Sequence, residues 1–248
     1  MAFIQASFFS GMLQKCVQMN VVLPDKGTPP FPVYYLLHGL SDDHTIWHRR
    51  TSIERYVENL PLIVVMPDGF RGFYTDANEG PSYGLYMVKD IVGFVERNFP
   101  AKRTRDGRCI GGLSMGGYGA LRLALAYPEM FVSANSHSGA CLAGHTVDPL
   151  LAEPEFRRVF GRKPQGSEHD LFALAAKLKR KGKRVPKLRI DCGTDDFLLA
   201  ANREFHAYLN KLNVPHEYAE YPGAHEWGYW DLHVREALAF HCRALSLS

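Results

Sequence analysis

The sequence predicts an α/β protein with a mostly parallel, doubly wound sheet and helices on both faces. Short apolar runs bounded by turn residues alternate with longer segments of helical period along the 248 residues. Residues 33–37 and 62–66 are apolar or aromatic throughout, as is typical of central strands buried on both faces. The composition is globular, with 46% hydrophobic and 22% charged residues. We therefore predict one domain over residues 1–248.

The predicted elements begin with β structure and then alternate between strand and helix. Eight strands are predicted, the first two as an antiparallel pair, at residues 4–9, 16–23, 33–37, 62–66, 108–112, 131–136, 188–192 and 216–221. A helix capped by Asp42 or Asp43 should end before Pro61. Further helices are predicted at residues 83–99, 117–127 and 229–245.

Residues 140–166 do not fit this alternation. The segment carries two proline-containing stretches and a short apolar helix, and it is too long for an ordinary connection. We predict that it forms a small cap over the site.

The net charge of +3 is too small to indicate a nucleic-acid partner. The basic run at residues 177–189 lies where a helix ends, so we interpret it as solvated charge rather than a polyanion site. No apolar stretch is long enough to span a membrane. Five widely spaced cysteines form no C-x-x-C pair, and the N-terminus has no signal-peptide pattern. We expect a cytoplasmic protein with a small-molecule substrate and no membrane partner; a homo-oligomer is compatible with the sequence.

The motif Gly-Leu-Ser-Met-Gly at residues 112–116 lies between a predicted strand and a predicted helix. This context is typical of the nucleophile elbow of the α/β-hydrolase fold, where tight packing requires glycines on both sides of the serine. A glycine-rich turn of a nucleotide-binding fold is the alternative interpretation of the motif alone. The choice depends on an acid and a histidine that follow Ser114 in that order.

The acid is predicted in the loop after the strand at residues 188–192. Asp196 is preferred and Asp195 is the alternative, whereas Asp191 falls within the strand and should be structural. One of these aspartates could instead cap the following helix.

Of the eleven histidines, His225 alone lies between the last predicted strand and the last helix, where this fold places the base. His38 should be structural. His44 and His48 share a predicted helix face, but the pair lacks the glutamate of H-E-x-x-H, so a metal site is disfavoured.

These residues predict acyl transfer: His225 removes the proton of Ser114 during attack, and Asp196 fixes the imidazole tautomer. The backbone amides of Leu40 and Met115 are placed to stabilise the oxyanion. Serine, histidine and water suffice for this chemistry, so no metal or organic cofactor is expected.

Four segments resemble one known family: Leu-Leu-His-Gly-Leu-Ser at 36–41, Gly-Leu-Ser-Met-Gly-Gly at 112–117, Cys-Gly-Thr-Asp-Asp-Phe-Leu at 192–198 and Gly-Ala-His-Glu-Trp-Gly-Tyr-Trp-Asp at 223–231. They are similar to the bacterial tributyrin esterases of the esterase D group. This group also holds S-formylglutathione hydrolases, feruloyl and acetyl esterases, and mycolyltransferases. The resemblance implies the same triad and oxyanion amides. It also implies that Trp47, Trp227 and Trp230 lie close to the substrate pocket.

The sequence therefore predicts a serine carboxylesterase that hydrolyses small, short-chain acyl esters through an acyl-enzyme. S-Formylglutathione hydrolase, feruloyl or acetyl esterase, and acyl transfer to a sugar or alcohol are alternatives within the same family. A non-catalytic binding protein is the alternative of another class.

Overall fold

The computed structural model describes residues 1–145, 153–180, 182 and 184–247. Within this part of the chain, eight strands form one sheet in the order β1-β2-β4-β3-β5-β6-β7-β8. The strands are β1 (Ala2–Ser10), β2 (Lys15–Leu23), β3 (Val33–Leu37), β4 (Ile63–Pro67), β5 (Arg108–Leu113), β6 (Ser133–His137), β7 (Lys187–Gly193) and β8 (Glu217–Tyr221). β2 is antiparallel to both its neighbours, and β3 to β8 pair in parallel.

Helices cover both faces of the sheet. They are α1 (Ile46–Arg50), α2 (Ile53–Val57), α3 (Tyr83–Leu85), α4 (Val92–Asn98), α5 (Met115–Ala126), α6 (Pro154–Phe160), α7 (Leu171–Arg180), α8 (Leu199–Lys211) and α9 (Trp227–Leu245). The buried side chains of α1, α2 and α9 form one hydrophobic cluster with one face of the sheet. Those of the other helices pack against the opposite face. The predicted α/β-hydrolase architecture is confirmed, and each predicted strand agrees with the observed bounds to within two residues.

One predicted helix has an unexpected geometry. Residues 83–99 are helical, but a π-helical segment, Tyr86–Ile91, joins α3 to α4. A π turn holds more residues than an α turn, so it rotates the side chains that follow it around the helix axis. Around this segment Tyr86 and Met87 are buried, whereas Leu85 and Val88 are only partly buried.

The helix predicted after Asp42 and Asp43 is two short helices. α1 ends at Arg50, Thr51 after it adopts an extended backbone conformation, and α2 begins after Ser52. The predicted cap at Asp42 or Asp43 is wrong, because Thr45 is the residue before α1 and no side chain caps the helix. The Asp43 carboxylate instead orders the preceding turn by accepting hydrogen bonds from the Thr45 amide at 2.8 Å and the Thr45 hydroxyl at 2.6 Å. The hydroxyl of Thr51 hydrogen-bonds to Trp47 O at 2.5 Å.

The cap predicted at residues 140–166 falls partly on residues 146–152, which lie outside the described residues. The described part contains α6, which packs on the loop after β4. Phe156 and Phe160 lie 5.5 Å and 4.9 Å from Phe73 between ring centroids. Arg71 and Glu155 form an ion pair at 2.5 Å. The position of the whole segment over the site stays a prediction.

Within the described residues, no helix is both long and apolar enough to cross a membrane.

Candidate active site

The loops that carry the predicted site residues leave the same edge of the sheet. In the parallel register, Leu37 pairs with Gly112, Leu113 with His137, and Gly193 with Tyr221. The carboxyl ends of β3, β5, β6, β7 and β8 are therefore aligned. Open α/β sheets bind ligands along this edge.

Ser114 has the strained backbone of a nucleophile elbow. It lies between β5 and α5 with φ of 53° and ψ of −116°, a conformation that a side-chain-bearing residue rarely adopts. Gly112 and Gly116 allow this turn to pack against β3. A Cβ would lie 2.6 Å from the Leu37 carbonyl oxygen at Gly112 and 2.5 Å from it at Gly116. The steric role predicted for these glycines is confirmed.

His225 and Asp196 form a hydrogen-bonded pair. Nδ1 of His225 lies 2.9 Å from Oδ2 of Asp196 and 3.1 Å from Oδ1. Burial alone would raise the pKa of the Asp196 carboxyl, but hydrogen bonds from His225, the Leu198 amide and Ser138 outweigh burial and hold the pKa below its usual value. Asp196 is therefore ionised at neutral pH and accepts a hydrogen bond from Nδ1–H, leaving Nε2 of His225 as the basic atom.

The three candidate aspartates have different environments. The Asp196 side chain is fully buried, whereas Asp195 is exposed. Asp191 is buried within β7, where His137 Nδ1 donates to its Oδ1 at 2.9 Å and the Tyr229 hydroxyl donates at 3.0 Å. The geometry thus favours Asp196 as the partner of the histidine and gives Asp191 a structural role.

Asp196 does not cap α8, whose cap residue is Leu198 without a side-chain cap hydrogen bond, but it orders the turn before that helix. Its Oδ1 accepts the Leu198 amide at 2.8 Å, and its carbonyl oxygen accepts the Leu199 amide at 3.0 Å at the start of α8. One carboxylate therefore orders the turn and orients the imidazole.

Ser138 and Trp230 support this pair, and the sequence analysis did not identify Ser138. Its side chain helps to lower the pKa of the Asp196 carboxyl, and its hydroxyl accepts Trp230 Nε1 at 3.3 Å. The backbone of the same loop reaches the elbow, because Ala140 N donates to Ser114 O at 3.1 Å. The position of Ser138 directly after β6, at the loop-bearing edge of the sheet, was the available signal.

The two predicted oxyanion amides belong to Met115, directly after Ser114, and to Leu40, in the loop after β3. Met115 is the first residue of α5, so its amide has no acceptor within the helix and carries the positive end of the helix dipole. Leu40 follows β3 in a turn that His38 and Tyr74 hold in place. The Tyr74 hydroxyl bonds the His38 amide at 3.1 Å and its carbonyl at 3.2 Å.

His38 has the structural role predicted for it. Its side chain is 1% exposed, its Nδ1 donates to Gly39 O at 2.7 Å, and its Nε2 accepts the Gly69 amide at 2.8 Å. It therefore ties the loop after β3 to the loop after β4.

The two predicted pocket tryptophans differ in accessibility. Trp47 exposes 1% of its surface and donates from Nε1 to Leu37 O at 2.9 Å, so it lies behind the site surface. Trp227 is partly exposed and meets Trp47 edge-on, with ring centroids 5.3 Å apart. Trp227 is thus the more accessible of the two, and its place in the substrate pocket stays a prediction.

The structure leaves one catalytic contact open. Among the described residues, no hydrogen bond joins the Ser114 hydroxyl to His225. Catalytic hydrogen bonds are often long in structures without substrate and shorten in the substrate complex.

His44 and His48 do not belong to a metal-binding arrangement. The His48 ring stacks on Phe3 with centroids 4.3 Å apart, and its Nε2 lies 3.4 Å from Glu54. Within the described parts of the chain, no group of three histidine, cysteine or acidic side chains is arranged to hold a metal ion.

The sequence model of the Esterase family matches residues 10–241. The chain belongs to the Esterase family. It is 34% identical to the acetyl esterase of Caldicellulosiruptor saccharolyticus, over 96% of this chain and 97% of that protein. The predicted relationship to the esterase D group is confirmed.

Two solved structures from Staphylococcus aureus share this architecture. The fluorophosphonate-binding serine hydrolase F is 33% identical, with a TM-score of 0.88 and coverage of 97% of this chain and 98% of that chain. The S-formylglutathione hydrolase is also 33% identical, with a TM-score of 0.86 and the same coverage. This member of the Esterase family is therefore a carboxylic-ester hydrolase, as predicted, which favours the enzyme over a non-catalytic binding protein.

Proposed function

We propose that this esterase hydrolyses small, short-chain acyl esters through a Ser114–His225–Asp196 triad. The hydrogen-bonded His225–Asp196 pair is the observation that carries the proposal, because it fixes a tautomer whose free nitrogen can act as a base. The strained backbone of Ser114 supports its role as the nucleophile. The acetyl esterase relative supports the preference for a short acyl group.

In the proposed reaction, the Ser114 hydroxyl oxygen bonds to the ester carbonyl carbon as Nε2 of His225 takes its proton. The amides of Leu40 and Met115 stabilise the oxyanion, and losing one such donor would cost about 3 kcal/mol of barrier. The bond to the alcohol oxygen then breaks as His225 donates the same proton to it. Water then attacks the carbonyl carbon of the acyl-enzyme as His225 takes a proton from it. The bond to the Ser114 oxygen breaks as His225 returns that proton to Ser114, which releases the acid and the free serine.

S-Formylglutathione is the second candidate substrate, because the hydrolase of that name is 33% identical over 97% of this chain. Two exposed carboxylates are neighbours of the proposed pair in sequence, Asp195 before Asp196 and Glu226 after His225. They would repel the carboxylates of glutathione electrostatically, so we rank this substrate below neutral esters.

We also propose that the protein works in the cytoplasm. Its five cysteines are all free thiols, as is usual in a reducing compartment.

The test is a p-nitrophenyl ester series from acetate to laurate, with S-formylglutathione and a feruloyl ester beside it. We expect kcat/KM to be highest for the shortest acyl groups and to fall by roughly 10⁴-fold or more in Ser114→Ala. Ser7→Ala, an exposed serine on β1, is the matched control. Activity retained by Ser114→Ala would reject the mechanism, and a maximum at long acyl groups would reject the specificity.

A further inference from the structure

Phe197 is the most exposed large apolar side chain among the described residues, with 72% of its surface open to solvent. It follows Asp196 directly. Its ring centroid lies 4.5 Å from that of His225, with the planes at 49°. An apolar ring at the surface is unfavourable in water. Here it borders the proposed catalytic base.

The backbone around Phe197 is held on both sides. Asp195 N donates to Gly223 O at 2.9 Å, which joins the loop after β7 to the loop after β8. On the other side, Leu198 N donates to Oδ1 of Asp196 at 2.8 Å. The ring is therefore presented by an ordered turn rather than by a free chain end.

A role in holding the His225 ring in place does not explain why Phe197 is so exposed. Asp196 fixes the Nδ1 side of the imidazole, and the indole of Trp230, only 4% exposed, packs edge-on against the same ring at 4.8 Å. A ring that served only to pack the histidine would be covered as Trp230 is. Phe197 instead keeps most of its surface free.

We propose that Phe197 forms a binding surface for the alcohol part of the ester, and that this surface selects uncharged aromatic or large apolar alcohols. The inference rests on the proposed function, in which His225 gives its proton to the departing alcohol oxygen. The alcohol must therefore lie beside His225 at that step. Phe197 is an exposed apolar surface that borders His225, and aromatic rings pack favourably on one another.

The charged side chains next to Phe197 define more closely which alcohols would bind there. Asp195 and Glu226 are exposed and stand next to Asp196 and His225 in the two loops. An anionic alcohol bound on Phe197 would approach both carboxylates. The surface therefore fits a neutral aryl group better than a carboxylated one.

The test compares phenyl acetate with methyl acetate, which form the same acetyl-enzyme and differ only in the alcohol. We expect Phe197→Ala to lower kcat/KM about tenfold for phenyl acetate and less than twofold for methyl acetate. Phe197→Leu, which keeps an apolar surface without a ring, should lower the phenyl acetate value by about threefold. Phe9→Ala removes a phenylalanine that is 61% exposed on β1, and should change neither substrate.

Equal losses on both acetates would show that Phe197 positions His225 instead, and no loss on either would show that the alcohol does not contact it. Both results overturn the inference. Failure of the proposed function is a separate result, in which the wild-type protein shows no Ser114-dependent cleavage of either acetate.

The selection against anionic alcohols is tested by comparing kcat/KM for 4-acetoxybenzoate with kcat/KM for phenyl acetate. Replacing Asp195 by Asn and Glu226 by Gln together should raise the ratio of the two kcat/KM values about threefold in favour of the anionic ester. An unchanged ratio would overturn the selection against anionic alcohols.

Discussion

The indole of Trp230 meets the imidazole of His225 edge-on, with ring centroids 4.8 Å apart and planes at 89°. Trp230 also donates to the Ser138 hydroxyl, and the Ser138 side chain helps to lower the pKa of Asp196. Asp196 accepts the hydrogen bond of His225. The histidine and the aspartate are thus surrounded by contacts from α9 and from the loops after β6, β7 and β8. Asp195, exposed and outside these contacts, has no comparable hold on the imidazole.

Asp196→Asn should lower kcat by roughly 10³- to 10⁴-fold, because an amide can stabilise neither the required tautomer nor the imidazolium. Asp195→Asn should lower kcat by less than about threefold. Steady-state kinetics with p-nitrophenyl acetate measures both, and thermal unfolding shows whether each variant is folded. A larger loss in Asp195→Asn would reassign the acid.

The site could be predicted from the sequence because each of its parts is a local pattern. A strand, a tight turn and a helix are specified by neighbouring residues around Ser114. The order of the loops along the chain then places Asp196 and His225 at the same edge of a parallel sheet. The contacts of Ser138 could not be predicted, because they depend on how three loops separated in sequence pack together.

The helix at residues 83–99 shows the same limit in the fold. Its apolar period predicted a regular α-helix, and local periodicity contains no signal for the π turn at Tyr86–Ile91. Which aromatic side chains of this helix are buried depends on how the helix packs against the sheet. Trp47 is a similar case, since the family resemblance implies a place close to the pocket while its indole is 1% exposed and bonded to Leu37 O.

Gly116→Ala should disrupt the elbow at Ser114 and with it the esterase activity. The new methyl carbon would lie 2.5 Å from Leu37 O and 2.6 Å from His38 O, which are backbone atoms of β3 and the loop that follows it. Real Cβ atoms do not approach backbone oxygens so closely, so either β3 or the elbow must move. We expect kcat/KM for p-nitrophenyl acetate to fall by at least about 100-fold, since small displacements of catalytic groups have such effects.

Gly228→Ala is the matched control, because Gly228 also lies in the first turn of a helix, and a Cβ there meets nothing within 4 Å. Alanine loses less backbone entropy than glycine on folding. This substitution should therefore raise the free energy of unfolding by roughly 0.5–1 kcal/mol and leave kcat/KM unchanged. Wild-type activity in Gly116→Ala would contradict the packing described for the elbow.

His241 is a buried neutral histidine in α9 that takes no part in the proposed chemistry. It is 0% exposed in α9, and its two ring nitrogens lie 2.8 Å from Ser133 Oγ and 2.8 Å from Asn135 Oδ1. Asn135 Oδ1 can only accept, so Nε2 carries the proton and Nδ1 accepts from the serine hydroxyl. Burial, with the nearby His137 and Arg189, lowers the pKa of His241 to about 3.

This lowered pKa predicts how stability depends on pH. In the unfolded chain a histidine titrates near 6.5, so between about pH 6.5 and 3 the unfolded chain binds a proton that the folded protein does not. The free energy of unfolding should therefore decrease as the pH falls through this window. His241 contributes at most about 1.4 kcal/mol per pH unit. Urea unfolding at pH 6 and pH 5 should show a loss about 1 kcal/mol smaller in His241→Gln than in the wild-type protein. Equal losses in the wild-type protein and in His241→Gln would show that His241 is not held neutral by the fold.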